Sequence, residues 1–118
     1  MPEYGNAEFD RRQYPRLNCT LPFAYEIADQ KLPDGITANI SLGGLQVLLP
    51  QPVVKGDVLE LVMRLQGEEP LKVRAEVMWA NTENIPKDWA CQAGLRFFEM
   101  SPVSFSVWKN FLETWFKK

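Results

Sequence analysis

Apolar and polar residues alternate with a period of two along most of this chain, and the pattern changes only near the end. Phe23, Tyr25 and Ile27 alternate with smaller or polar residues and predict a half-buried strand. Residues 36–40, rich in β-branched side chains, predict a second strand, and 45–49 a third. Residues 58–65 predict a fourth, apolar enough for a barrel wall. Leu71, Val73, Ala75, Val77 and Trp79 then alternate with Lys72, Arg74, Glu76 and Met78, the cleanest period-two run in the chain. Cys91, Ala93, Leu95 and Phe97 give a sixth strand, in which Gly94 marks a bulge or a close approach. Turn chemistry separates these runs: Pro33-Asp34-Gly35, residues 41–44, Gln51-Pro52 with Lys55-Gly56-Asp57, residues 66–70, and a polar loop over 81–90.

The period switches after Ser101-Pro102, an N-cap followed by proline at the first helical position. Phe105, Trp108, Leu112 and Trp115 recur at helical spacing, with Lys109, Asn110, Glu113 and Thr114 on the polar side. Lys117 and Lys118 suit the negative end of the helix dipole. Short strands with turns about every eight to twelve residues favour closure into a barrel, which removes exposed edges. The expected fold is therefore mainly all-β: a six-stranded antiparallel β-barrel over about 20–99 with a C-terminal amphipathic α-helix over about 101–117. Residues 1–10 read as a flexible N-terminal arm and 11–118 as a single domain.

Composition mainly excludes. The 118 residues suffice for one domain with a modest core, and 46% hydrophobic and 24% charged residues are ordinary globular proportions. A net charge of −2 argues against a nucleic-acid polymer as partner, since such binders carry a basic surface. Any anion site must be a local cluster, and Arg11, Arg12 and Arg16 form the densest one. The absence of histidine removes the usual general base, the Ser/His and Cys/His nucleophile pairs and most zinc arrangements. Glu68-Glu69 and Glu83 offer no geometry for paired acid/base work, so the expectation is a protein that is not an enzyme and carries no cofactor. Cys19 and Cys91 form no C-x-x-C pair and are expected as buried free thiols. The sequence shows neither a secretory core nor an apolar run of transmembrane length, which predicts a cytoplasmic protein with no membrane insertion.

Two stretches carry candidate chemistry. Arg11-Arg12-Gln13-Tyr14-Pro15-Arg16 contains an R-x-x-x-R spacing. Arginine can grip phosphate or the O6/N7 edge of guanine with two bonds and can stack on a purine face; the alternative is a solvated charged arm. Asn39-Ile40-Ser41-Leu42-Gly43-Gly44 is an N-x-S-x-x-G turn. Asn39 can hold a turn or pair with a base edge, the Ser41 hydroxyl can donate to phosphate, and Gly43 and Gly44 permit positive φ and let backbone N–H groups approach an anion. The alternative here is a plain β-turn. Trp79 fits core packing, which its strand-face spacing favours, or stacking on a guanine face at the barrel surface. Trp108 and Trp115 read as helix-to-barrel packing.

R-x-x-x-R about two dozen residues ahead of N-x-S-x-x-G, in a β-rich body, resembles the PilZ family of bacterial receptor domains for cyclic di-GMP. Val77-Met78-Trp79 and Gly94-Leu95-Arg96-Phe97 also look like their counterparts there, and the resemblance covers nearly the whole chain. It implies the same six-stranded barrel with a C-terminal helix. By the resemblance, Arg12 and Arg16 match the two arginines, and Asn39, Ser41 and Gly44 match the defined positions of (D/N)-x-S-x-x-G. Asp is commoner at the first of these, so Asn39 carries one negative charge fewer. Arg11 stands where an arginine is associated in the family with a stacked ligand dimer. The implied function is non-catalytic binding of cyclic di-GMP, relayed to an unidentified downstream protein as the arm orders over the ligand. The alternative is a ligand-independent PilZ-like module that docks onto motility, pilus or secretion machinery; relatives of that kind typically lack the arginine motif present here.

Overall fold

The computed structural model describes residues 16–65 and 70–116. Its elements are β1 (Leu17–Asn18), β2 (Pro22–Ile27), β3 (Gln30–Ile40), β4 (Gly44–Leu49), β5 (Val58–Met63), β6 (Leu71–Asn81), β7 (Cys91–Glu99) and α1 (Pro102–Phe116). The strands run in the order β1-β3-β2-β5-β6-β7-β4, and β4 returns to pair with β3. That return closes six antiparallel strands into the expected barrel. Alternation drives it: Leu71, Val73, Ala75 and Val77 are buried, while Lys72 and Arg74 between them are exposed. Tyr25, Phe23, Ile40, Leu45 and Phe97 fill the same interior, each almost wholly removed from water. Cys19 and Cys91 are buried free thiols, as expected, and burial pushes the Cys19 thiol up from its ordinary range. The Tyr25 phenol is pushed up to about 12, first by burial and then by its electrostatic interaction with Cys91.

The expected turn at Pro33-Asp34-Gly35 does not form, because these residues lie within β3. The chain reverses earlier, at Ala28 and Asp29, both in the left-handed region (φ 52° and 66°), between the paired Ile27 and Gln30. The pairing shifts by one between Phe23↔Gly35 and Tyr25↔Leu32, so Pro33 and Asp34 together face Ala24 as a bulge. A bulge tolerates a proline that has no N–H to give the ladder.

The helix starts where Ser101-Pro102 predicts, with Ser101 Oγ accepting a hydrogen bond from Ser104 N at 3.0 Å. Among its described side chains, Trp108 and Leu112 are buried. Trp108 stands edge-on to Phe97, with ring centroids 5.7 Å apart, and its Nε1–H donates to Ser41 O at 3.1 Å. The helix is thereby pinned to the turn between β3 and β4. The side chain of Trp115, Lys117, Lys118 and the expected turn at 66–69 lie outside the described residues.

Candidate functional site

Asn39 faces outward because of a second bulge. Strict alternation would place it on the inward side with Thr37, which is 1% exposed. Pairing runs Thr37↔Val47 and then Asn39↔Gln46, so Ala38 is the extra residue and the parity flips. Thr37 meanwhile ties down the chain entering the barrel: its hydroxyl donates to Cys19 O at 2.6 Å and accepts from Leu21 N at 2.8 Å. β1 pairs with β3 at Leu17↔Ile40 and Asn18↔Asn39. Arg16, immediately before β1, therefore arrives beside Asn39. Arg16 Nη1 donates to Asn39 Oδ1 at 2.9 Å, and Asn39 Nδ2 donates to Gln46 Oε1 at 2.9 Å. Asn39 thus joins the arginine to β4 and does not hold the turn, one of the two roles, beside pairing with a base edge, that the sequence allows it. Because Arg16 meets a neutral amide, its positive charge is not compensated by that bond. Arg11 and Arg12 lie outside the described residues.

The register continues this row across the outer face: Asn39↔Gln46 on β4, Gln46↔Gly94 on β7, and Gly94↔Trp79 on β6. Trp79 is 40% exposed, which corrects the expectation that it packs in the core. The physical reason is a third bulge, between Val77↔Leu95 and Trp79↔Gly94, which makes Met78 the extra residue and turns Trp79 outward. Its indole lies across Gly94, where a Cβ would sit 2.6 Å from Cε2 and closer still to Nε1. The close approach read at Gly94 is thus made by Trp79. Two bulges bracket one row and place an amide and an aromatic ring on the same surface.

The 41–44 turn underlies the row. Ser41 is 1% exposed; its N–H and its hydroxyl both donate to Gly44 O, at 2.9 and 3.3 Å. In this structure the hydroxyl ties the turn. Gly43 O accepts from Phe97 N at 3.0 Å, joining the turn to β7. Neither Gly43 nor Gly44 has positive φ; among the described glycines only Gly56 does (96°). The reason for glycine at 44 is steric, since a Cβ there would run into the Leu95 carbonyl.

The signal for Gln46, which the motifs do not contain, is slight: one polar residue in Gly44-Leu45-Gln46-Val47, on the outward parity. Arg96, two residues beyond Gly94, pairs with Glu76 at 2.9 Å, so its charge is balanced locally. A groove of about 640 Å³ lies elsewhere, over Ala24 and Val62, rimmed by Glu26, Lys31, Asp34, Glu60, Lys72, Arg74 and Glu99. Arg74 there already meets Glu99 at 2.9 Å and Glu60 at 3.7 Å, and the mixed charges favour no one ligand. The Arg16–Trp79 row differs in kind. It offers a cation for an anion, carboxamides for a base edge and an open aromatic face for a flat ring. No group of three or more metal-ligating side chains occurs among the described residues.

No curated protein matches this chain. Solved structures do. It is similar to the Bacillus subtilis inhibitor of motility MotI/DgrA (24% identity, TM-score 0.71), over 92% of this chain and 53% of that one. It is similar to the PilZ domain of CeSA from a cellulose-synthesizing bacterium (19% identity, TM-score 0.60), over 85% and 97%. It is also similar to YcgR from Escherichia coli, solved in complex with c-di-GMP (16% identity, TM-score 0.60), over 91% and 46%. The chain thus spans about half the length of the first and last of these. These likenesses agree on the fold, and the model of the PilZ domain matches residues 10–114, so the chain belongs to the PilZ domain family.

Proposed function

We propose that this protein is a non-catalytic receptor for cyclic di-GMP. The observation that carries the reading is the hydrogen bond from Arg16 to Asn39, which joins the end of the R-x-x-x-R run to the first residue of N-x-S-x-x-G. Cyclic di-GMP offers two anionic phosphates and two guanines, and the row from Arg16 to Trp79 presents a group suited to each. Arg12 and Arg16 clamp phosphate and guanine, with Arg11 admitting a second, stacked ligand. Asn39 reads a base edge, Trp79 gives a stacking face, and Ser41, Gly43 and Gly44 hold the turn beneath. The segment carrying Arg11 and Arg12 closes over the ligand and so changes the surface that a downstream protein meets. YcgR, a relative in fold, was solved with c-di-GMP, which supports the same ligand here. No helix among the described residues is long and apolar enough to cross a membrane, and the reading places the protein in the cytoplasm.

A second reading, a ligand-independent docking module for motility, pilus or secretion machinery, draws on apolar surface at the barrel–helix junction, where Phe98 is 42% and Val103 74% exposed. Calorimetric titration with cyclic di-GMP decides between them, with GTP as control ligand and Arg12→Ala and Arg16→Ala as variants. The receptor reading expects saturable heat that both variants lose and GTP does not reproduce. A folded native protein that gives no heat overturns it in favour of docking.

A further inference from the structure

The hydrogen bonds of the row have a direction, and that direction fixes what Gln46 shows to a ligand. Arginine has donors only, so the atom of Asn39 that meets Arg16 must be its oxygen. The amino end of Asn39 is then turned to β4, and Gln46 must answer it with an oxygen, as it does at 2.9 Å. A carboxamide is planar and has two unlike ends. With Oε1 committed to Asn39, the end turned away from Asn39 is the amino group, a donor. Next in the row is Gly94, covered by the Trp79 indole. Adjacent strands are about 5 Å apart, so a base stacked on that indole has its edge within reach of Gln46.

We propose that Gln46 is a specificity-determining residue of this site: Arg16 and Asn39 lock its carboxamide with the amino end outward, so the site accepts the acceptor edge of guanine in preference to adenine. Guanine presents two acceptors, O6 and N7, on this edge, whereas adenine presents N7 beside an N6 amino donor. A donor on the protein can pair with either acceptor of guanine, whereas on adenine it pairs with N7 alone and is opposed by the N6 amino group beside it. The inference rests on the receptor reading and adds the source of its base preference.

The test uses the full chain, with cyclic di-GMP and cyclic di-AMP as probes and the thermal midpoint as a check on folding. Gln46→Glu keeps an oxygen for Asn39 Nδ2 but turns an acceptor outward; Gln46→Met removes both ends without adding charge. The expected result is that Gln46→Glu melts like the native protein, binds cyclic di-GMP about tenfold more weakly and narrows its preference over cyclic di-AMP. Gln46→Met loses affinity for cyclic di-GMP without gaining any for cyclic di-AMP. If Gln46 served only to hold Asn39, the added charge of Gln46→Glu would weaken cyclic di-GMP and cyclic di-AMP alike and leave the native preference between them unchanged. That outcome overturns the proposal and leaves the receptor reading standing. Native protein that binds neither dinucleotide removes the receptor reading and this inference together.

Discussion

Gly44 and Gly94 allow the same perturbation, one added methyl group, to be made twice on neighbouring strands with opposite expected results. At Gly44 the new Cβ would run into the Leu95 carbonyl oxygen, with the carbonyl carbon at 3.1 Å and Arg96 Cα at 3.3 Å. All of these are backbone atoms of β7, which is held by the β4 ladder on one side and the β6 ladder on the other. Nothing there can rotate away. Overpacking costs about 1–3 kcal/mol, and with no side chain able to yield, Gly44→Ala should lie near the upper end, about 3 kcal/mol. For a domain of this size that lowers the melting midpoint by on the order of 15 °C. At Gly94 the nearest atoms to the methyl belong to the Trp79 ring, with Cε2 at 2.6 Å and Cδ1 at 2.8 Å. That ring is 40% exposed and can swing into water without moving the backbone. The lost contact is partly offset by the smaller unfolded-state entropy of alanine, so Gly94→Ala should cost about 1 kcal/mol or less. Thermal and urea unfolding followed by circular dichroism measure both. Equal losses, or a Gly44→Ala protein as stable as the native one, would refute the steric assignment of the two glycines. Gly94→Ala should also weaken cyclic di-GMP binding, since it displaces the stacking face from a folded barrel.

Two further outcomes concern the barrel itself. The Tyr25 phenol keeps its proton in the folded state up to about 12, whereas an unfolded chain releases it near the ordinary value of 10. The folded-state pKa is the raised one, so this stability is intact below pH 10 and is lost as pH rises towards 12, by on the order of 2 kcal/mol. Tyr25→Phe should flatten the urea-midpoint slope across that window relative to the native protein, and an unchanged slope would count against the burial argument. Ala28 holds φ 52° at the first position of a two-residue hairpin turn, where asparagine is favoured. Ala28→Asn should raise stability by about 0.5–1 kcal/mol, and an unchanged melting midpoint would show that the turn carries no such strain.

The barrel and the helix are legible in the sequence because both depend on periods that a single strand or helix displays by itself. Leu71, Val73, Ala75 and Val77 declare their inward face without reference to any partner, and Ser101-Pro102 marks a helix start locally. The site is less legible, for one physical reason. A bulge is a property of a strand pair, namely one residue more on this strand than on its neighbour, and no residue type announces it. Ala38 and Met78 look like ordinary members of their strands, yet each reverses the inward–outward parity of the residues after it. The one turns Asn39 outward beside Arg16; the other turns Trp79 outward over Gly94. Counting by twos through Met78 therefore assigns Trp79 to the core, and counting by twos through Ala38 would do the same to Asn39. Pro33-Asp34 misleads in the same way, because residues that punctuate turns also occupy bulges. Gln46 stays hidden for a different reason: its part in the row comes from the register of β4 against β3 and β7, which the sequence of β4 does not contain. The motifs identify the residues, while the interruptions in alternation decide that they share a surface. In a small barrel whose inward positions are all taken by packing, a site for a flat, charged ligand has to be built on the outer face, and a bulge is how a strand hands a residue from one face to the other.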